Sequence, residues 1–152
     1  MNWINFKTDI KDNFSQTYNI VVREMDIRRW SNFLTYLKLK GYFKKYETTE
    51  FGISIDIQAQ EIVDYFNSER EYWPSLEIDL NGFRIDGFIK SAEHLELWFN
   101  DRGQTGLTQE NYIKITGFIE ELSNELKCEV LFENEDALSE RLIFKVDNGV
   151  IK

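Results

Sequence analysis

The stretch Leu76-Glu77-Ile78-Asp79-Leu80-Asn81-Gly82-Phe83-Arg84-Ile85-Asp86-Gly87 decides the fold. Apolar and polar residues alternate on both sides of Asn81-Gly82, and an Asn-Gly pair accepts the two positive φ angles of a type I′ turn. The segment is therefore a two-residue β-hairpin, and the turn sets its register. Leu80 faces Phe83, Asp79 faces Arg84, Ile78 faces Ile85 and Glu77 faces Asp86. One face is apolar and belongs to the core. The other carries the complementary pair Asp79/Arg84 and the opposed carboxylates Glu77/Asp86, an arrangement that costs a few tenths to about 1 kcal/mol.

The next strand, residues 95–99, extends this logic. Leu95, Leu97 and Phe99 share one parity; Glu96 and Trp98 share the other, with His94 just before them. Placed beside the hairpin, this strand sets Trp98 on a face otherwise made of Glu77, Asp79, Asp86 and Glu96. A large flat side chain ringed by carboxylates suits a protein interface that selects a basic partner. The alternative is that a helix or the N-terminal segment packs over Trp98 and makes it satellite core. The polar loop 100–106, with Asp101, Arg102 and two glycines, would form a rim of the binding face.

Working outward, residues 18–23 read as a strand on their β-branched content. Asp26 caps a helix whose apolar stripe is Ile27, Trp30, Phe33, Leu34 and Leu37, stopped by Gly41. Residues 42–46 alternate as an edge strand guarded by lysines, and residues 51–55 form another short strand. A second helix starts near Asp56 with Ala59, Ile62, Val63 and Phe66 inward, and ends before Trp73-Pro74. Thr108 caps the longest helix, to about Lys127, with Tyr112, Ile115, Ile119, Leu122 and Leu126 buried. Strands at 128–133 and 141–146 follow, joined by a turn at 134–139. Residues 1–15 fit either a helix, through Phe6, Ile10 and Phe14, or a strand. The expected class is α+β: a single domain over 1–152, mainly antiparallel, with about three helices mostly on one face.

The 152 residues include 23 aromatic ones, since Phe, Tyr and Trp number 12, 7 and 4, which is ample for a core. The net charge of −9 disfavours nucleic acid and anionic membrane surfaces as direct partners. Residues 1–45 carry nine Lys/Arg against four Asp/Glu, so the acidic excess lies wholly in the remainder. Such a surface steers basic partners. No apolar run is long enough to span a bilayer and no signal-peptide pattern opens the chain, so a cytoplasmic location is expected.

Catalytic chemistry finds little support. One Cys, Cys128, rules out an internal disulfide, and its apolar strand raises rather than lowers a thiol pKa. One His, His94, rules out a two-His metal site. Four carboxylates on a sheet face could hold Mg²⁺ or Mn²⁺ for a metal-dependent hydrolase, but a sheet spreads them about 5 Å apart. No catalytic residue, metal ligand or cofactor is assigned. The basic-aromatic run Lys38, Lys40, Tyr42, Phe43, Lys44, Lys45, Tyr46 could hold single-stranded nucleic acid, or could be a helix end followed by a lysine-defended strand.

Through the hairpin at 76–87, the strand Leu95-Glu96-Leu97-Trp98-Phe99 and the acidic excess after residue 46, the chain resembles the small acidic immunity proteins of bacterial polymorphic-toxin and contact-dependent growth-inhibition systems. That resemblance implies a non-catalytic cytoplasmic inhibitor whose partner is a cognate toxin domain, often a basic nuclease. The residues expected to meet it are Glu77, Asp79, Asp86, Glu96, Trp98, Asp101 and Arg102. A DNA mimic or adaptor that binds another basic protein would use the same surface.

Overall fold

In a computed structural model, the hairpin lies at the centre of one nine-stranded antiparallel sheet. The structure describes residues 17–68, 72–100, 108–135 and 142–152. The strands are β1 (Thr17–Val22), β2 (Phe43–Thr48), β3 (Gly52–Ser54), β4 (Ser75–Asp79), β5 (Arg84–Phe88), β6 (Leu95–Asn100), β7 (Glu129–Asn134), β8 (Leu142–Asp147) and β9 (Val150–Ile151). The helices among the described residues are α1 (Ile27–Lys40), α2 (Ala59–Phe66) and α3 (Gln109–Leu126). Strand order is β3-β2-β4-β5-β6-β1-β7-β8-β9. This is the expected α+β class. The readings made for residues 1–15, for 101–106 and for most of the 134–139 turn lie outside the described residues.

The β4–β5 register is the one the Asn-Gly turn dictates, with Asp79↔Arg84, Ile78↔Ile85 and Glu77↔Asp86. Asn81 and Gly82 both take positive φ, 53° and 95°, and the Leu80 N–H donates to the Phe83 carbonyl at 2.8 Å. β6 lies beside β5 with Asp86↔Trp98 and Gly87↔Leu97. A Cβ at Gly87 would stand 2.9 Å from Leu97 Cδ2 and 3.2 Å from the Glu96 carbonyl oxygen, so glycine is what lets β6 approach.

The helices cover the face to which Ile78, Ile85, Leu97, Ile20 and Phe132 belong. Asp26 Oδ1 accepts from the Arg29 N–H at 2.8 Å to start α1, and Thr108 Oγ1 accepts from the Asn111 N–H at 3.1 Å to start α3. Trp30 is fully buried and its indole N–H donates to the Ala92 carbonyl at 2.6 Å. Beneath the helices, Tyr18, Phe99 and Phe132 stack across three neighbouring strands with centroids 5.2 to 6.1 Å apart. Each such side chain contributes roughly 1.5–3 kcal/mol by leaving water. Between α1 and α3, Glu121 accepts from the Tyr36 hydroxyl at 2.7 Å and pairs with Lys40 at 3.0 Å. Burial pushes the Glu121 carboxyl up, but the bonds from Tyr36 and Lys40 outweigh it and hold it below its usual range.

Several expectations need correction. The 42–46 strand is not an edge: β2 lies between β3 and β4, and the edge is β3. Its simple alternation fails because Phe43 and Tyr46, three residues apart, both face the core. A bulge between Phe43 and Lys45 absorbs the odd residue. Ile27, expected on the apolar stripe, is exposed at the first turn of α1. In α2, Tyr65 is buried with Ala59 and Ile62, while Val63 is only half-buried. β9, two residues long, lacked any periodic signal.

Gly82→Ala should lower stability by about 1 kcal/mol, since alanine resists a φ of +95°. Gly117→Ala, in α3 with open space at the new Cβ, should raise it by about 0.5–1 kcal/mol. Urea midpoints at an unchanged slope measure both. Because Glu121 has a depressed folded pKa, its contribution is present above the unfolded carboxyl pKa and lost as pH falls through the folded value. Tyr36→Phe should raise that folded pKa, seen by carbonyl NMR titration.

Candidate functional site

The opposite sheet face carries the charge. A single cross-strand row runs Lys45, Glu77, Asp86, Trp98, Asn19, Glu133 over β2, β4, β5, β6, β1 and β7. The structure thus brings Glu77, Asp86 and Trp98 side by side, with Glu96 two residues from Trp98 on β6 and Asp79 two from Glu77 on β4. Asp101 and Arg102 lie outside the described residues. Trp98 is half-buried, between the exposed and core alternatives. At the β1–β7 end the same face is closed: Asn19, Val21 and Leu131 are all buried, and Asn19 Oδ1 has no hydrogen-bond partner among the described residues. The accessible part is the β2–β4–β5–β6 half.

The electrostatics differ from a bare acidic patch. Arg84 does not reach across to Asp79 as a simple pair. It turns along its own strand, placing Nη2 2.7 Å from Asp86 Oδ1 and Nε 3.0 and 3.1 Å from the two Asp86 oxygens. The same Nη2 is 3.3 Å from Glu77 Oε2, so one guanidinium bridges both opposed carboxylates. Lys45 adds a weaker contact to Glu77 at 3.8 Å. Its bond to Asp86 raises Arg84 further above its ordinary pKa. Glu96 sits between Lys90, 3.6 Å away, and His94, 3.5 Å away. Asp79 Oδ1 accepts from the Gly82 N–H and pins the turn. Glu77, Asp79, Asp86 and Glu96 are therefore all already engaged.

Sequence reasoning missed an aromatic cleft next to this row. One ladder step along, Ile53, Glu47, Ser75 and Phe88 face each other across β3, β2, β4 and β5. A cleft of about 600 Å³ opens there, lined by Glu47, Tyr72, Trp73, Ser75 and Phe88. Trp73 is 57% exposed, with Lys90 Nζ 5.4 Å from its ring centroid. The signal was present in Tyr72-Trp73, a pair of large aromatics before a proline, but was used only to end a helix.

For catalysis the arrangement offers little. Among the described residues no three His, Cys, Asp or Glu side chains are grouped to hold a metal ion. Cys128 is buried, and that burial pushes its thiol pKa up, away from a nucleophilic thiolate. Lys38 is committed to Asp56 at 2.5 Å and Lys40 to Glu121, consistent with a structural account of the basic run. No helix among the described residues is long and apolar enough to cross a membrane.

No protein-family model matches the chain, and no curated protein matches it. Its fold is similar to that of a chain in the crystal structure of the toxic C-terminal tip of CdiA from Pseudomonas aeruginosa in complex with immune protein. That likeness has a TM-score of 0.55 at 9% identity, covering 87% of this chain and 95% of that one. At that identity, the likeness is one of fold.

Arg84→Met should leave Glu77 and Asp86 in mutual repulsion and cost about 1 kcal/mol at low salt. The loss should shrink in high salt and on acidification, because protonated carboxyls do not repel. Denaturation at several salt concentrations and pH values measures it. An equal loss under all conditions would mean that Arg84 acts by packing instead.

Proposed function

We propose that this chain is an immunity protein that binds a toxin domain and blocks it in the cytoplasm. The observation that carries this reading is the fold likeness, over 87% of the chain, to part of a complex between a CdiA toxin tip and its immune protein. The net charge of −9 supports assigning this chain the inhibitor's half of such a pair. An acidic inhibitor accelerates capture of a basic nuclease and competes with its phosphate substrate for the same cations. The proposed contact residues are Glu77, Asp79, Asp86, Glu96 and Trp98, with Asp101 and Arg102 at the rim.

The paired state of those carboxylates refines the mechanism. Arg84, Lys45 and Lys90 hold the row close to neutral and rigid, so its carboxylates are pre-positioned and do not spread by repulsion. A toxin arginine arriving at Glu77 or Glu96 meets an acceptor of fixed geometry, which lowers the ordering cost of association. Trp98, half-buried in the middle of the row, offers flat apolar area that slows dissociation.

The test is co-expression with the C-terminal domain encoded immediately upstream of this chain's gene. Co-purification together with restored growth is the expected outcome. Reversing Glu77, Asp79, Asp86 and Glu96 to Lys should weaken capture at least 100-fold, about 2.7 kcal/mol, with circular dichroism and melting checked in parallel. Unchanged affinity and salt dependence in the folded variant would remove the proposed face. A soluble, folded upstream domain that forms no complex would remove the immunity reading.

A further inference from the structure

Among the described residues the sheet ends at β3, which pairs there with β2 alone. Alternate residues of an antiparallel strand turn their N–H and C=O groups away from the neighbour, so the outer side of β3 offers unpaired backbone groups. Edges of this kind are normally guarded by charge. Here the lysines lie one strand inward, on β2, while the edge itself displays apolar side chains. Ile53, on β3, is 62% exposed, and Phe51 and Ile55, which flank it, are 74% and 78% exposed.

On the helix-covered side of that edge is a cavity of about 340 Å³. Its walls are Tyr46, Tyr65, Glu61 and Asp64, over a floor of Gly52 and Ser54. Glu61 Oε2 accepts from the Gln58 N–H at 2.6 Å, and Asp64 Oδ1 accepts from Gln60 Nε2 at 2.7 Å. Neither carboxylate has an ion-pair partner among the described residues, whereas Glu77, Asp86 and Glu96 all have one. Two carboxylates with no ion-pair partner among the described residues thus stand beside β3, next to two tyrosine rings.

We propose that the β3 edge takes up an extended segment of the partner as an added strand, with alternate side chains divided between the two faces. Apolar ones cover Ile53, and a Lys or Arg enters the cavity between Glu61 and Asp64. Backbone pairing supplies affinity in this mode, and the alternating side chains supply selectivity. A second copy of this chain is a poor occupant, since it carries the same −9 charge and the same two carboxylates. The occupant is a basic segment, and its identity as part of a toxin rests on the immunity reading.

The probe is the capped peptide Val-Arg-Val-Arg-Val-Arg-Val, with a Glu-for-Arg version as control, titrated into the ¹⁵N-labelled full chain. Saturable amide shifts centred on Gly52, Ile53, Ser54, Glu61 and Asp64 are expected, with the Glu peptide at least tenfold weaker. Ile53→Pro should abolish them. The double variant Glu61→Gln/Asp64→Asn, which keeps an acceptor for the α2 start, should weaken the Arg peptide at least tenfold. Shifts scattered over the whole acidic surface, equal binding of the Glu peptide, or a wild-type dimer dissociated by Ile53→Pro would each overturn the proposal. The same variants in co-expression separate the two readings. Toxin capture that survives all of them refutes the edge and leaves immunity intact. Peptide binding at β3 without toxin capture refutes immunity and leaves the edge.

Discussion

The type I′ turn at Asn81-Gly82 is the constraint on which the rest of the sheet's chemistry depends. Its two residues fix the β4–β5 register, and because strand side chains alternate, register decides which face each one occupies. A slip of one residue would bring Glu77, Asp79 and Asp86 under the helices and put Ile78 and Ile85 into water. The cost of burying those unpaired carboxylates far exceeds the strain of two positive φ angles. Asp79 reinforces the turn by accepting the Gly82 N–H, so a residue of the charged face helps enforce the register that exposes it. β6 then inherits the alignment through the Gly87–Leu97 approach, and β1 inherits it from β6.

That inheritance explains how much was legible. Where a local pattern sets its own geometry, sequence and structure agree. The hairpin register, the Asp26 and Thr108 caps, and the buried stripe of α3 all depend on residues within a few positions of each other. Where placement depends on distant partners, the pattern misled. Residues 42–46 carry lysines as an edge strand would, yet the sheet ends at β3, whose Ile53 is exposed and is flanked by the exposed Phe51 and Ile55. A bulge at Phe43/Lys45 breaks an alternation that otherwise read as regular.

The candidate site was half legible for the same reason. Parity put Glu77, Asp86, Glu96 and Trp98 on one face. It could not show that Arg84 would turn along its strand to bridge two carboxylates, because side-chain direction within a face is a matter of which partner is nearest. It also could not show that the face closes at Asn19, Val21 and Leu131. Nor could parity bring Glu61 and Asp64 beside β3, since the path of residues 55–58 from β3 into α2 is not an alternating pattern.

The separation between engaged and unengaged carboxylates bears on how an acidic protein can be both stable and adhesive. Carboxylates directly opposed on a sheet repel one another, so cations already hold them in place and they are poor sources of new binding energy. A cation that approaches them displaces an existing partner and gains only the difference. Glu61 and Asp64, which face the cavity beside β3, accept hydrogen bonds from Gln58 and Gln60 but have no ion-pair partner among the described residues. An incoming Lys or Arg displaces no cation already placed there among the described residues, and the tyrosine rings alongside reduce the screening. The central row therefore suits orientation and selection by charge, while the β3 margin suits attachment. On the proposed division, the part that sets the register stays rigid while the sheet's edge meets the partner.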